Sequence, residues 1–264
     1  MTPPPVLQER TIDELTIDDE SSFRHVALYA DLKEVLRRAA YRFRVLPESA
    51  RGRWDRALLL NLTFWGASSG GDVLMDDHVP ADVVAHAAWH HLASRALGVG
   101  AGAALDADTL FLGEAIASAF DVYLVGRLLG HAPSSSFLET QVPAMAEAAD
   151  AAGLDEDDFE ALLGDIAKDP DRAFEDLRQL LFDATRALMR ASDAGEAFTV
   201  LAGFDAHRLA PLLHRYELSN WVLYARAYAA AGAGAAAIAI DRTLRTEPSA
   251  IEWLANAWLK PVAS

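Results

Sequence analysis

The chain has 264 residues, 52 % of them hydrophobic, and a formal charge of −16. That hydrophobic share sets disorder aside for most of the chain, and the acidic balance opposes nucleic-acid binding and docking on anionic membranes, both of which need clustered Lys and Arg. There is no cysteine, so disulfides, thiolate metal sites and cysteine nucleophiles are excluded, and a metal would have to be held by His, Asp or Glu.

The opening MTPPPVLQERTIDELTIDDESS has no basic stretch leading into an apolar one, as a secretory signal would. The apolar run AYAAAGAGAAAIAI, 227–240, is broken by Gly232 and Gly234 and falls short of the roughly 20 residues of a membrane span. A soluble cytoplasmic protein is expected, with no membrane and no nucleic-acid partner. The Ala-rich, Lys-poor usage suggests a high-GC bacterium.

Residues 1–20 are Pro-rich, then acidic, and read as a tail or a strap on the surface. Ser21 or Ser22 can cap a helix through FRHVALYADLKEVLRRAAYRFRVL, where Val26, Tyr29, Leu32, Val35 and Leu36 recur at helical spacing until Pro47 stops it. Arg53 to Phe64 reads as a second helix and GASSGG, 66–71, as a loop. GASSGG lacks the Lys-Ser/Thr of a phosphate-binding Walker loop. Pro80 opens a helix that runs to a stop at Gly98. After the connector GVGAGAALD, Asp106 or Asp108 caps a helix ending at Gly130.

HAPSSS, 131–136, is the next break. Beyond it FLETQVPAMAEAADAAG, LDEDDFEALLGDIAKD, PDRAFEDLRQLLFDATRALMRA and LAPLLHRYELSNWVLYARAYAAA all carry helical periodicity, and two short helices near 235–246 and 249–259 close the chain. LDEDDFE lacks the glycine and spacing of a calcium loop and reads as an acidic first turn. No stretch shows clean period-two alternation bounded by turn chemistry. The expected fold is all-α, a compact multi-helix array: a single helical domain over 21–264, with a sub-boundary near 133–137.

Three of the eight histidines fall in HAAWHH, 86–91. His86 and His90 are four apart, the spacing at which two imidazoles on one helix can grip one cation. They share a stripe with Val83, Ala93 and Leu97, expected to face inward, and His91 lies a quarter-turn away. On the next helix Glu114, Ser118 and Asp121 form a stripe in an otherwise apolar run. A carboxylate facing inward needs a partner, and a cation held by His86 and His90 would supply one. His86, His90 and Glu114 then form a His₂Glu set with an open fourth position, suited to Zn²⁺. Asp121 or Asp82 could hold a ring N–H.

HAAWHHLASRALG followed by FLGEAIASAFDVYL resembles the two zinc helices of gluzincin metallopeptidases, over about 45 residues. The resemblance implies that His86, His90 and Glu114 are zinc ligands. The family's H-E-x-x-H carries its general-base glutamate where this chain has Ala87, and the aspartate often found four residues after the glutamate ligand is replaced by Ser118. With no base at 87, a metal-binding protein without peptidase activity is expected, and Asp82, His91 and Asp121 are the substitute bases available. A second resemblance, to DinB-like helical metal-binding proteins, would bring in His25.

The competing reading is a non-catalytic acidic helical scaffold that binds a protein partner, with histidines bonded to carbonyls or carboxylates. His207, His214 and Glu217 read as a structural or surface cluster, and Trp221, Tyr224 and Tyr228 as core. Trp253 and Trp258 are expected to pin the last helices. Ser134 to Ser136 show no base partner for a nucleophile.

Overall fold

The computed structural model describes residues 6–50, 73–98, 105–230, 232 and 234–259. The expected second helix at 53–64 and the GASSGG loop lie outside them. The chain divides into two units, residues 1–103 and 104–264.

In the first unit, β1 (Gln8–Arg10) leads into a 3₁₀ turn and β2 (Thr16–Asp18), and α1 (Ala27–Arg38) follows. β3 (Phe43–Val45), β4 (Val73–Leu74) and β5 (His78–Pro80) come next, then α2 (Ala81–Ala96). β1 pairs antiparallel with β3, which pairs parallel with β4, while β2 pairs parallel with β5. α1 buries Tyr29, Leu32, Val35 and Leu36 and packs on α2.

Two expectations are corrected here. Residues 8–18 form two short strands joined by a 3₁₀ turn, where a tail or a surface strap was expected. Gln8 faces Val45 and Thr16 faces His78, and the Thr11 amide donates to Glu14 Oε2 at 2.7 Å. The long helix expected up to Leu46 ends at Arg38. Ala40 takes a left-handed backbone (φ +47°), which breaks the helix. Beyond it Tyr41, Phe43 and Val45 are buried, while Arg42 and Arg44 are not, the period-two pattern of a strand.

The second unit is helical: α3 (Ala107–Leu129), α4 (Ser136–Ala151), α5 (Glu156–Lys168), α6 (Pro170–Leu188), α7 (Ala194–Ala202), α8 (Arg215–Tyr228), α9 (Ala235–Thr246) and α10 (Ala250–Leu254), the last running into a π turn over 255–259. The all-α class holds. α3 is apolar all round, as a helix enclosed by protein must be; between Thr109 and Leu128 every residue is buried except Ser118, Asp121 and Arg127. It packs on α6 above all, and also on α4, α5, α8 and α9. By length and composition α3 could cross a membrane, but 89 % of its most apolar window is buried within the protein.

Asp106 caps α3, accepting the Thr109 amide at 2.8 Å. Pro170 opens α6 behind Asp169, which accepts the Arg172 amide at 3.1 Å. The break expected near 133–137 is a packed corner: the Ala132 amide returns to the Leu128 carbonyl at 2.8 Å, and Ser135 is buried. α7 was not anticipated, and the helix expected over 209–231 begins only at Arg215, after a 3₁₀ turn over Ala210–Leu212. Trp221 is buried as expected, but Tyr228 is exposed.

Candidate metal centre

α2 starts on Pro80, whose extended backbone caps the helix, and stops at Gly98, where φ is +71°. Its buried face is Ala81, Val84, Ala85, Ala88, Trp89 and Leu92. The alanines offer little bulk, so neighbouring backbone can approach closely. His86 and His90 stand one step off this face and are half-buried, so the core stripe is rotated from the one expected through the histidines.

The two imidazoles converge. Their Nε2 atoms are 3.1 Å apart and their ring centroids 4.9 Å, with the planes at 54°. Burial first, and the neighbouring His86 second, push His90 down to about 3. At neutral pH this ring is therefore uncharged and keeps a lone pair on one nitrogen, the form a metal requires.

His91 turns away from the pair. Its ring meets Tyr41 edge-on, with centroids 5.8 Å apart. Burial, then the nearby Arg95 charge, lower its pKa. That placement removes His91 as a substitute base for the pair, in line with its quarter-turn offset in sequence. His25 is exposed, at the end of a 3₁₀ turn, and among the described residues it does not join the histidine pair. Ala87 is 2 % exposed, so the position of the missing glutamate points into packed side chains.

Glu114 belongs to the second unit, midway along α3, and is 3 % exposed. Ser118 and Asp121, one and two turns on, are half-buried. The expected carboxylate stripe therefore exists, with its buried end at Glu114. The third member of the expected donor set is thus a buried carboxylate on α3, in the second unit. Asp82 lies one turn before His86 on α2 and is half-buried.

The remaining polar candidates separate. His207 accepts the Leu209 amide at 3.1 Å, and burial lowers its pKa; His214 and Glu217 are exposed. A polar cluster not anticipated from the sequence lies between α6 and α9. Arg178, fully buried, gives Nη1 to Asp241 at 2.8 Å and Nη2 to Glu175 at 2.6 Å. Arg245 ties the same Asp241 to Asp183. The signal was present: Arg178 interrupts the apolar face carrying Phe174, Leu177 and Leu181, and a charge on such a face needs partners.

The chain is an all-α protein with a pair of convergent imidazoles. Compared with protein-family models, with curated proteins and with solved structures, it finds no match.

Proposed function

We propose that this is a helical metal-binding protein in which His86, His90 and Glu114 hold one divalent cation, with zinc preferred. The observation that carries the reading is the 3.1 Å approach of the His86 and His90 Nε2 atoms. Two imidazole nitrogens each about 2.0–2.1 Å from a tetrahedral zinc ion stand about 3.3 Å apart. The pair is thus spaced for a shared ion with little movement. Two nitrogens and one carboxylate oxygen, without thiolate, suit Zn²⁺ and leave a fourth position for water or a ligand. The same donor set is what a gluzincin-like ancestry would leave behind.

A bound ion would supply a polarised water or carbonyl oxygen. Ala87 provides no proton acceptor beside it. A general base contributes roughly a hundred-fold or more in rate, so peptide hydrolysis by the gluzincin route is not expected. The protein is proposed as a binder, not a peptidase.

A second reading rests on the same contact. Two imidazoles whose nitrogens lie 3.1 Å apart also form an N–H···N hydrogen bond. The histidines would then be structural, and the protein an acidic helical scaffold for a protein partner. Metal content separates the two. The purified protein should carry stoichiometric metal, lost in His86→Ala, His90→Ala and Glu114→Ala. A protein purified without metal, whose melting temperature moves with neither added Zn²⁺ nor a chelator, overturns the metal reading.

A further inference from the structure

We propose that the second unit carries an oxyanion site, built for a phosphate group by Lys168, Arg172 and Arg208. These residues, with Asp165 and Asp169, line a cavity of about 220 Å³ at the junction of α5 and α6. Nothing in the metal reading uses them.

Arg208 carries the argument. It sits in the segment between α7 and the 3₁₀ turn, and its Nε donates to Asp176 Oδ2 at 2.6 Å. Its Nη2 is shielded from solvent and reaches no hydrogen-bond acceptor among the described residues. A guanidinium nitrogen that has lost water and gained nothing is costly, and calls for an acceptor. Asp176 also holds Arg172 through Nε, at 3.5 Å. One carboxylate therefore grips both guanidinium groups by the same edge. The Nη edges, which bind oxyanions in pairs, are not engaged by it.

Donor geometry narrows the ligand. Three cations and two carboxylates line the cavity, and Asp176, bound to both Arg172 and Arg208, brings the group to charge balance. One of those carboxylates, Asp169, is already committed to capping α6 through the Arg172 amide. Donors from three separate side chains suit a tetrahedral dianion better than a planar carboxylate, which one guanidinium can satisfy alone. The phosphate could arrive free or as a small ester. In the ester, a hydroxyl could donate to Asp165.

Calorimetric titration at low salt with inorganic phosphate and, separately, with glycerol phosphate tests this. Saturable one-to-one binding by either is expected, and tighter binding of glycerol phosphate would identify the ester as the source. Lys168→Ala and Arg172→Ala alter exposed side chains and should keep the melting temperature while weakening binding several-fold. Arg208→Gln should remove it. If Arg208→Gln disturbs the fold, Arg208→Lys, with its charge kept but its fork gone, should weaken binding at an unchanged melting temperature. No saturable heat from either ligand, equal binding by all the variants, or the same response to chloride at matched ionic strength would overturn the site.

Discussion

His86 Nε2 and His90 Nε2 face each other at 3.1 Å across one turn of α2, within the range of a single hydrogen bond and close to the separation of two nitrogens on one zinc ion. The relationship lies within one helix, so it follows from the i, i+4 spacing and from the rotamers that aim both rings the same way. It leads to a first prediction. Zn²⁺ at about a hundred times its dissociation constant should stabilise the protein by about 2.7 kcal/mol. Differential scanning calorimetry should show the melting temperature rising with Zn²⁺ and falling back with a chelator. In His90→Ala that response should vanish; an undiminished response there would place the metal elsewhere.

A glutamate at position 87 is the obvious way to ask whether a lost peptidase can be restored. The burial of Ala87 predicts otherwise. At 2 % exposure the new carboxylate enters packed side chains, and an unpaired buried charge costs several kcal/mol unless it takes up a proton. Ala87→Glu should lower the melting temperature and acquire no activity on a casein or quenched-peptide substrate. Gain of metal-dependent cleavage at undiminished stability would show that position 87 reaches the ion and that the gluzincin likeness is one of mechanism.

His78 and Asp18 tie β5 to β2, with His78 Nδ1 2.9 Å from Asp18 Oδ1. The hydrogen bond to Asp18, then its charge, raise the His78 pKa above its ordinary value of 6.5. A histidine raised in the folded state contributes its stability fully below the unfolded value, near pH 6.5. It loses that contribution as pH climbs through the folded value. The contact is exposed and its effect on stability small, so the direct readout is the titration itself. An NMR titration should place His78 above about 6.5, and Asp18→Asn should bring it back down. An unshifted His78 would mean that the pair does not form in solution.

Much of this arrangement was readable in the sequence wherever a cap or stop residue spoke for one element. Asp106, Gly98, Gly130 and Pro170 each mark a helix end at the place expected. Two signals were passed over. YRFRV, 41–45, alternates cleanly but follows a helical run without a glycine or proline between them. Ala40 makes the break in a left-handed conformation that no propensity assigns to alanine. Asp193 and Glu196 begin α7 as a capping pair, with Asp193 Oδ1 taking the Glu196 amide at 2.9 Å and Glu196 taking the Ser192 amide at 2.7 Å. That helix buries no residue of its own, so no apolar stripe announced it. At the candidate site, spacing set His86 and His90 together and set His91 apart. The direction of Ala87 depended on how far the core stripe is rotated round α2, which small alanines leave undetermined.

The buried Arg178 predicts a strong coupling. Asp241→Ala removes the acceptor of its Nη1 and strands part of a fully buried guanidinium. Breaking one side of such a pair typically costs about 3–5 kcal/mol. In an Arg178→Met background the same Asp241→Ala change should cost far less, because no buried charge is left behind. Urea denaturation of the four proteins in this cycle measures the difference. Equal costs in both backgrounds would show that Arg178 and Asp241 do not depend on each other.

Two glycines in neighbouring helices offer the last test, since the same substitution should have opposite signs. A Cβ on Gly126 of α3 would lie 2.7 Å from the Ile166 carbonyl oxygen and 3.0 Å from Pro170 Cγ. Neither is the free end of a flexible chain: one is backbone in α5 and the other a ring at the start of α6. Gly126→Ala therefore has to push α5 and the head of α6 off α3, at a cost of about 1–3 kcal/mol. Gly164, inside α5, has nothing within 4 Å of the same atom. There the methyl meets open space, and replacing a mid-helix glycine gains about 0.5–1 kcal/mol by reducing the freedom of the unfolded chain. Denaturation midpoints should thus fall for Gly126→Ala and rise for Gly164→Ala. A fall in both would mean that α5 is not helical at Gly164; no change at Gly126 would mean that α5 and the head of α6 do not approach α3 as closely as the Ile166 and Pro170 distances require.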